Sequence, residues 1–232
     1  MKLNKVVLSL AIFAMMIAGA SADMWYVQTF DDLAAGPLIG QDEWSGAATV
    51  QNDFSHGESG QSINVTGNIT RSLIESQDVQ YVSFYFMVSE EANMDWKLYM
   101  GNALDAQAAA MGLNPDNETI HIHGGDEQIP VDIKPEEWHQ LGAVLDFNST
   151  KWSFYFDDME NPLREGNGFR NGACDALAKI WINIWTAPSA GGLYVDDFMI
   201  GDGDVIPTSL GPEEAVDPVL KLATLWGEIR AR

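Results

Sequence analysis

The chain has 232 residues, with 34 Asp and Glu against 12 Lys and Arg, giving a formal charge of −22. A field of that sign repels nucleic acid and anionic membrane surfaces, so polyanion-binding roles are disfavoured from the outset. Cys174 is the only cysteine, so no disulfide can form within the chain and stability must come from a buried core; Cys174 itself reads as a small buried hydrophobe.

Residues 1–22 read as a secretory signal peptide. Lys2 and Lys5 supply the positive start, Val6 to Gly19 the apolar stretch, and Ala20-Ser21-Ala22 a small-residue cleavage site. Loss of those two lysines takes the mature chain from −22 to −24. The apolar run is short for a membrane span, and no later stretch has eighteen unbroken apolar residues. An exported protein follows, secreted or held in a periplasm or at a cell surface.

From residue 23 to 204 nearly every ordered-looking segment has strand character. Trp25 to Phe30, Ala47 to Phe54, Val79 to Val88 and Trp96 to Met100 alternate or are β-rich, as do Thr119 to His123 and Trp138 to Phe147. Trp152 to Phe156, Lys179 to Thr186 and Leu193 to Ile200 complete the set. Turn residues such as Asn114-Pro115-Asp116-Asn117 and Asn148-Ser149-Thr150 separate them. Many short strands without interleaved helices predict an all-β, antiparallel two-sheet sandwich as a single domain. Residues 205–232 depart from this pattern. A Pro/Gly-punctuated linker leads to Asp217-Pro218, a helix start, and Val219, Leu222, Ala223, Trp226 and Ile229 form one apolar face. That short C-terminal α-helix either docks on its own domain or is offered to a protein partner.

The final strand carries the sharpest chemical signal. Leu193-Tyr194-Val195-Asp196-Asp197-Phe198-Met199-Ile200 sets two adjacent aspartates inside an aromatic and aliphatic run. Successive strand residues face opposite sides, so the two carboxylates cannot both be ordinary solvent-face charges if one side is covered. One of them then needs hydrogen-bond donors or a cation. Calcium is the specific reading for Asp196 and Asp197, and a solvated acidic turn the plain one. His121 and His123 share a strand face and, with Asp126 or Glu127, have the spacing of a zinc site, although metal-free surface histidines are commoner. Asn64, Asn68, Asn117 and Asn148 begin N-x-Ser/Thr acceptors for glycans in a eukaryotic secretory pathway.

Alternation also marks a ligand face. Ile180, Ile182 and Ile184 should face the core, leaving Trp181, Asn183 and Trp185 opposite; Val82, Phe84, Phe86 and Val88 should do the same against Tyr85. Aromatic rings interleaved with hydrogen-bonding groups suit sugars, whose C–H faces stack on rings while their hydroxyls bond polar groups. Trp181, Asn183, Trp185 and Tyr85, with Tyr99 on a neighbouring strand, form the candidate carbohydrate platform. The competing reading is a second core layer under a loop or the C-terminal helix.

Between Trp25 and Ile200 the chain resembles the concanavalin A-like lectin/glucanase superfamily, particularly its laminin-G-like domains. One motif runs from Glu136-Glu137-Trp138-His139 through Asp146 to Trp152-Ser153-Phe154-Tyr155-Phe156-Asp157-Asp158, and the other is the closing strand 193–200. The resemblance implies a jelly roll in which calcium bridges the first and last strands. Asp31 or Asp32 of the first strand would then join Asp196 or Asp197 as ligands of a structural ion, with backbone carbonyls and water completing the shell. The glucanase Glu-x-Asp-x-x-Glu strand is absent, and Arg71-Ser72 with Ile120-His121-Ile122-His123 gives only fragments of the alginate-lyase pattern. The leading expectation is a secreted, non-catalytic carbohydrate-binding or adhesion module for a polysaccharide or glycan. A hydrolase or lyase of the same fold and a structural cell-envelope domain are the alternatives.

Overall fold

The computed structural model describes residues 23–57, 60–76, 78–89, 95–114, 118–122, 127–186 and 191–208. The expected signal peptide, the helix beyond residue 216 and His123 lie outside these residues. The first half of the chain forms β1 (Asp23–Gln28), β2 (Gly36–Pro37), β3 (Trp44–Gln51), β4 (Ser62–Ser76), β5 (Val79–Val88), β6 (Trp96–Gly101) and β7 (Gln107–Asn114). The second half forms β8 (Thr119–Ile122), β9 (Glu127–Pro130), β10 (His139–Asp146), β11 (Lys151–Phe156), β12 (Arg164–Gly168), β13 (Leu177–Ile184) and β14 (Leu193–Asp202). Every pairing among them is antiparallel, and no helix occurs among the described residues.

Hydrogen bonding runs without a break in the order β12-β11-β10-β5-β14-β4-β13-β6-β7-β8-β9. The sheet curls on itself, and two ring systems show it. Phe86 on β5 and Trp96 on β6 are separated by three strands, which would put them about 19 Å apart on a flat sheet. Their ring centroids lie 5.2 Å apart across the enclosed core. The bend is built into β4, whose Ile63–Val65 segment pairs with β14 while Ile69–Ser76 pairs with β13. Beside it, the register of β3 slips between Gly46 and Ala48. Gly46 has φ 109° there, and a Cβ would come within 2.0 Å of the Asn68 carbonyl oxygen. Only glycine fits that approach.

Inside the curl, Phe30, Trp44, Phe84, Phe86, Trp96 and Phe198 anchor one buried apolar core. Phe84 and Phe198 stack in parallel at 5.0 Å, and Trp44 meets Phe198 edge-on at 5.7 Å. Ile180 and Ile182 belong to this core, as the alternation predicts. A second, smaller apolar cluster lies on the outer face of β5, β10 and β14 and contains Tyr81, Val144, Tyr155, Met159, Met199 and Ile206. Residues 205–208, expected as linker, supply Ile206 to it. Burying one such side chain contributes about 1.5–3 kcal/mol.

The polar tie points follow from local chemistry. At the β10–β11 hairpin, Asp146 Oδ1 accepts from the Asn148 and Ser149 N–H groups and Thr150 takes φ 54°. His139 is buried: its Nε2 accepts from the Lys134 N–H, so its proton sits on Nδ1 and is donated to Asp157 Oδ2 at 2.9 Å. The Trp138-His139 motif is therefore structural at its histidine. Arg71, also buried, bonds the Tyr26 hydroxyl at 3.1 Å and Glu43 Oε2 at 2.9 Å, tying β4 to β1 and to the turn before β3.

Candidate functional site

The two aspartates of β14 are accommodated by a β-bulge. Pairing with β5 passes from Asp196 opposite Tyr85 directly to Met199 opposite Ser83, so β14 holds one extra residue. Asp197 takes φ 46°, and Phe198 returns to the core. The bulge frees both carboxylates from the core face, which strict alternation would not allow.

Their environments differ. Asp196 is 3% exposed; its Oδ2 accepts from the His56 N–H at 2.9 Å and its Oδ1 from the Asp197 N–H at 2.8 Å. Burial pushes its carboxyl up to about 8, with the Asp197 and Asp31 charges adding and the two N–H groups opposing. Asp197 Oδ2 lies 2.7 Å from His56 Nδ1, and the His56 ring stacks on Tyr85 at 3.5 Å. Trp138 meets His56 edge-on at 5.9 Å. Together these contacts latch the loop after β3 onto the outer face of β5 and β14.

The expected ligand residues divide between two places. Tyr85 belongs to the latch: its hydroxyl lies 2.8 Å from the Thr208 carbonyl and 3.1 Å from Gln140 Oε1, and burial with Asp197 and Asp157 nearby raises it above the ordinary tyrosine range. It does not join the other platform residues. Trp181 and Tyr99 do come together: they are opposite one another on β13 and β6, with rings stacked at 5.3 Å and 15°. Ala110 on β7 pairs with Tyr99, and its small side chain leaves room for the two rings. Asn183 and Trp185 continue along the same face, Asn183 half-buried and Trp185 63% exposed.

Three cations stand over these rings. Lys97 Nζ lies 3.2 Å from the Trp185 centroid, Lys179 Nζ 5.0 Å from that of Trp181, and the Arg170 guanidinium 5.8 Å from that of Tyr99. Beneath them Tyr99 and Trp181 are only 6% and 8% exposed. None of the three was named from the sequence. Alternation could have found two, since Lys97 is two residues before Tyr99 and Lys179 two before Trp181, so each shares that residue's strand face. Arg170 has no such signal. It is brought in because the segment after β12 lies along β7, with the Arg170 N–H bonding the Ala108 carbonyl.

The expected calcium ligands Asp31 and Asp32 are not on the first strand: β1 ends at Gln28, opposite Phe198 of β14, and the chain turns at Phe30 (φ 62°) so that both aspartates lie on the turn that follows. Asp31 lies within electrostatic range of Asp196, and its Oδ1 accepts from the Gln61 N–H at 2.7 Å. Asp32 is exposed on the same turn. Among the described residues no three His, Cys, Asp or Glu side chains are grouped closely enough to hold a metal. His121 is half-buried on β8. Cys174 is buried, and burial raises its thiol.

No family model matches the chain, and no curated protein matches it. Among solved structures it is similar to a sialidase, with 12% identity and a TM-score of 0.57 over 78% of this chain and 19% of that one. A Trypanosoma rangeli sialidase aligns with 10% identity and a TM-score of 0.46, over 71% of this chain and 29% of that one. The carbohydrate-binding module CBM66 from Bacillus subtilis aligns with 7% identity and a TM-score of 0.46, over 70% of this chain and 98% of the module. The chain thus spans about a fifth to under a third of the sialidases' length. At these identities the likeness is one of fold, an antiparallel all-β architecture.

Proposed function

We propose that the protein is an exported, non-catalytic carbohydrate-binding or adhesion module whose glycan face is the Tyr99–Trp181–Asn183–Trp185 strip. The observation that carries this is Trp185. A tryptophan 63% exposed, in line with two stacked aromatic residues and an asparagine on one strand face, offers a sugar a ring to stack on and polar groups beside it. The finer fold reading goes with it: the curled sheet acts as a two-layer, laminin-G-like jelly roll, with β4 passing from one layer to the other.

A structural calcium ion is the second element of the proposal. Asp31 or Asp32 and Asp196 or Asp197 would each give one carboxylate, with backbone carbonyls and water completing the shell, and the raised Asp196 carboxyl means that an ion on it would have to displace a proton. The apolar face expected from the sequence at Val219, Leu222, Ala223, Trp226 and Ile229, outside the described residues, would serve a protein partner. Against a hydrolase or lyase, the carboxyl group with the strongest acid/base perturbation, Asp196, is buried and held by two N–H groups rather than presented to a ligand.

Incubating the mature protein with a polysaccharide panel tests the reading, scored for retention and for new reducing or unsaturated ends. Retention without cleavage, weakened about tenfold or more in Trp185→Ala, is the expected result. Cleavage would overturn the non-catalytic assignment, and retention indifferent to Trp185→Ala would overturn the site.

A further inference from the structure

We infer that the strip selects acidic sugars: a carboxylate carried on a glycan is held by Lys97 and Arg170 while a neighbouring sugar ring packs against Trp185. This rests on the glycan reading above and adds the chemical class of the ligand.

The cations are the reason. In a chain of −22, three lysines and arginines converge on one aromatic face. Elsewhere Arg71 is bonded to Glu43 and lies 3.4 Å from Asp42, and Lys134 lies near Asp132 and Glu137. On the strip itself Lys179 pairs with Asp105. Lys97 and Arg170 have no carboxylate within ion-pairing distance among the described residues. They also repel one another: after burial, the Arg170 charge is the next cause holding the Lys97 amine below its usual range, and Asp95 only partly offsets it. Two unpaired cations over one aromatic face, each feeling the other's charge, cost stability, and a bound carboxylate would offset that cost.

The global charge sets which acidic glycan fits. A densely charged polymer meets the repulsion of the whole surface, whereas an isolated carboxylate meets mainly its neighbours, because screening acts over about 8 Å at physiological salt. The ligand is therefore a largely neutral glycan with spaced uronic or similar acids. Trp185 supplies the stacking surface for a neighbouring sugar unit, on the ring face opposite the Lys97 amine.

The test uses glucuronoxylan and highly methyl-esterified pectin, each beside the same polymer with its carboxyl groups reduced to alcohols, in 0.15 M salt (a screening length of about 8 Å). Wild type should bind at least one acidic form about tenfold more tightly than its reduced partner. In Lys97→Gln/Arg170→Gln that preference should vanish while binding to the reduced form persists, which also shows that the variant is folded. If the double variant does not fold, each single variant should lose part of the preference. Equal binding of acidic and reduced forms, or a preference that survives both substitutions, would overturn the acidic-sugar assignment and leave the glycan reading intact. No binding to either form of either polymer, or binding unchanged in Trp185→Ala, would overturn the glycan reading and this inference with it.

Discussion

Asp196 should make the stability of the fold fall as pH rises, and its replacement should reverse the ranking of two proteins across the pH scale. Its carboxyl is raised from 3.8 to about 8, chiefly by burial. The folded state therefore keeps a proton that the unfolded chain releases, so stability is lost progressively from about pH 4 to about pH 8 and is level above that. At about 1.36 kcal/mol per pH unit the full shift caps the loss near 6 kcal/mol, and relaxation around the charged carboxylate should reduce it to about 3 kcal/mol. Asp196→Asn cannot titrate. Its Oδ1 still accepts from the Asp197 N–H, but its amide meets the His56 N–H donor to donor, costing about 1 kcal/mol at every pH. Urea unfolding at pH 3 and pH 9 should then show the variant less stable by about 1 kcal/mol at pH 3, where both states of wild type hold the proton, and more stable by about 2 kcal/mol at pH 9. All other titrating groups cancel in the difference. Curves for wild type and variant that stay parallel from pH 3 to pH 9 would refute the assignment of a buried, protonated Asp196.

Ile206→Ala should lower stability by about 2–4 kcal/mol, read by urea midpoint, because Ile206 is buried in the outer cluster with Tyr155 and Met159; a loss below about 0.5 kcal/mol would mean that residues 205–208 do not pack as described. Gly46→Ala should cost more than the roughly 1 kcal/mol of an ordinary glycine substitution, since its Cβ would collide with the Asn68 carbonyl at φ 109°. Calcium should raise the thermal midpoint relative to chelator, more at pH 9 than at pH 6, where it must compete with the Asp196 proton; a midpoint indifferent to calcium at both values would contradict the proposed ion.

Strands with clean alternation were legible in the sequence. β5, β10 and β13 show it, with apolar residues at every second position supplying the core, and β14 shows it on either side of its bulge. Others were hidden for identifiable reasons. β4 carries Asn64, Thr66, Gly67, Asn68 and Arg71 because it bends and changes partners, so its apolar pattern is broken where the bend falls. β7, Gln-Ala-Ala-Ala-Met-Gly-Leu-Asn, favours a helix by intrinsic propensity and is a strand because tertiary packing overrides it. The candidate site was half legible. Trp181, Asn183 and Trp185 follow from alternation, with Tyr99 added from a neighbouring strand; Lys97 and Lys179 obey the same rule but were missed because lone lysines on a strand face read as ordinary solvated charges. Alternation also grouped Tyr85 with them, yet a distant loop claims it through His56, and no local pattern announces that contact. The bulge at Asp197 is likewise a property of the pairing with β5, invisible until the register is known.

The central claim is that sugars bind on the β6–β13 face, and an amide and indole NMR titration of the mature protein with oligosaccharides from any retained polymer tests it most directly. The Trp181 and Trp185 indole signals should shift and saturate together, with the backbone signals of Lys97 and Tyr99, while those of Trp138 and the core Trp152 stay in place. Shifts gathered instead around Trp138 and His56, or no saturable shift on β6 and β13, would contradict it.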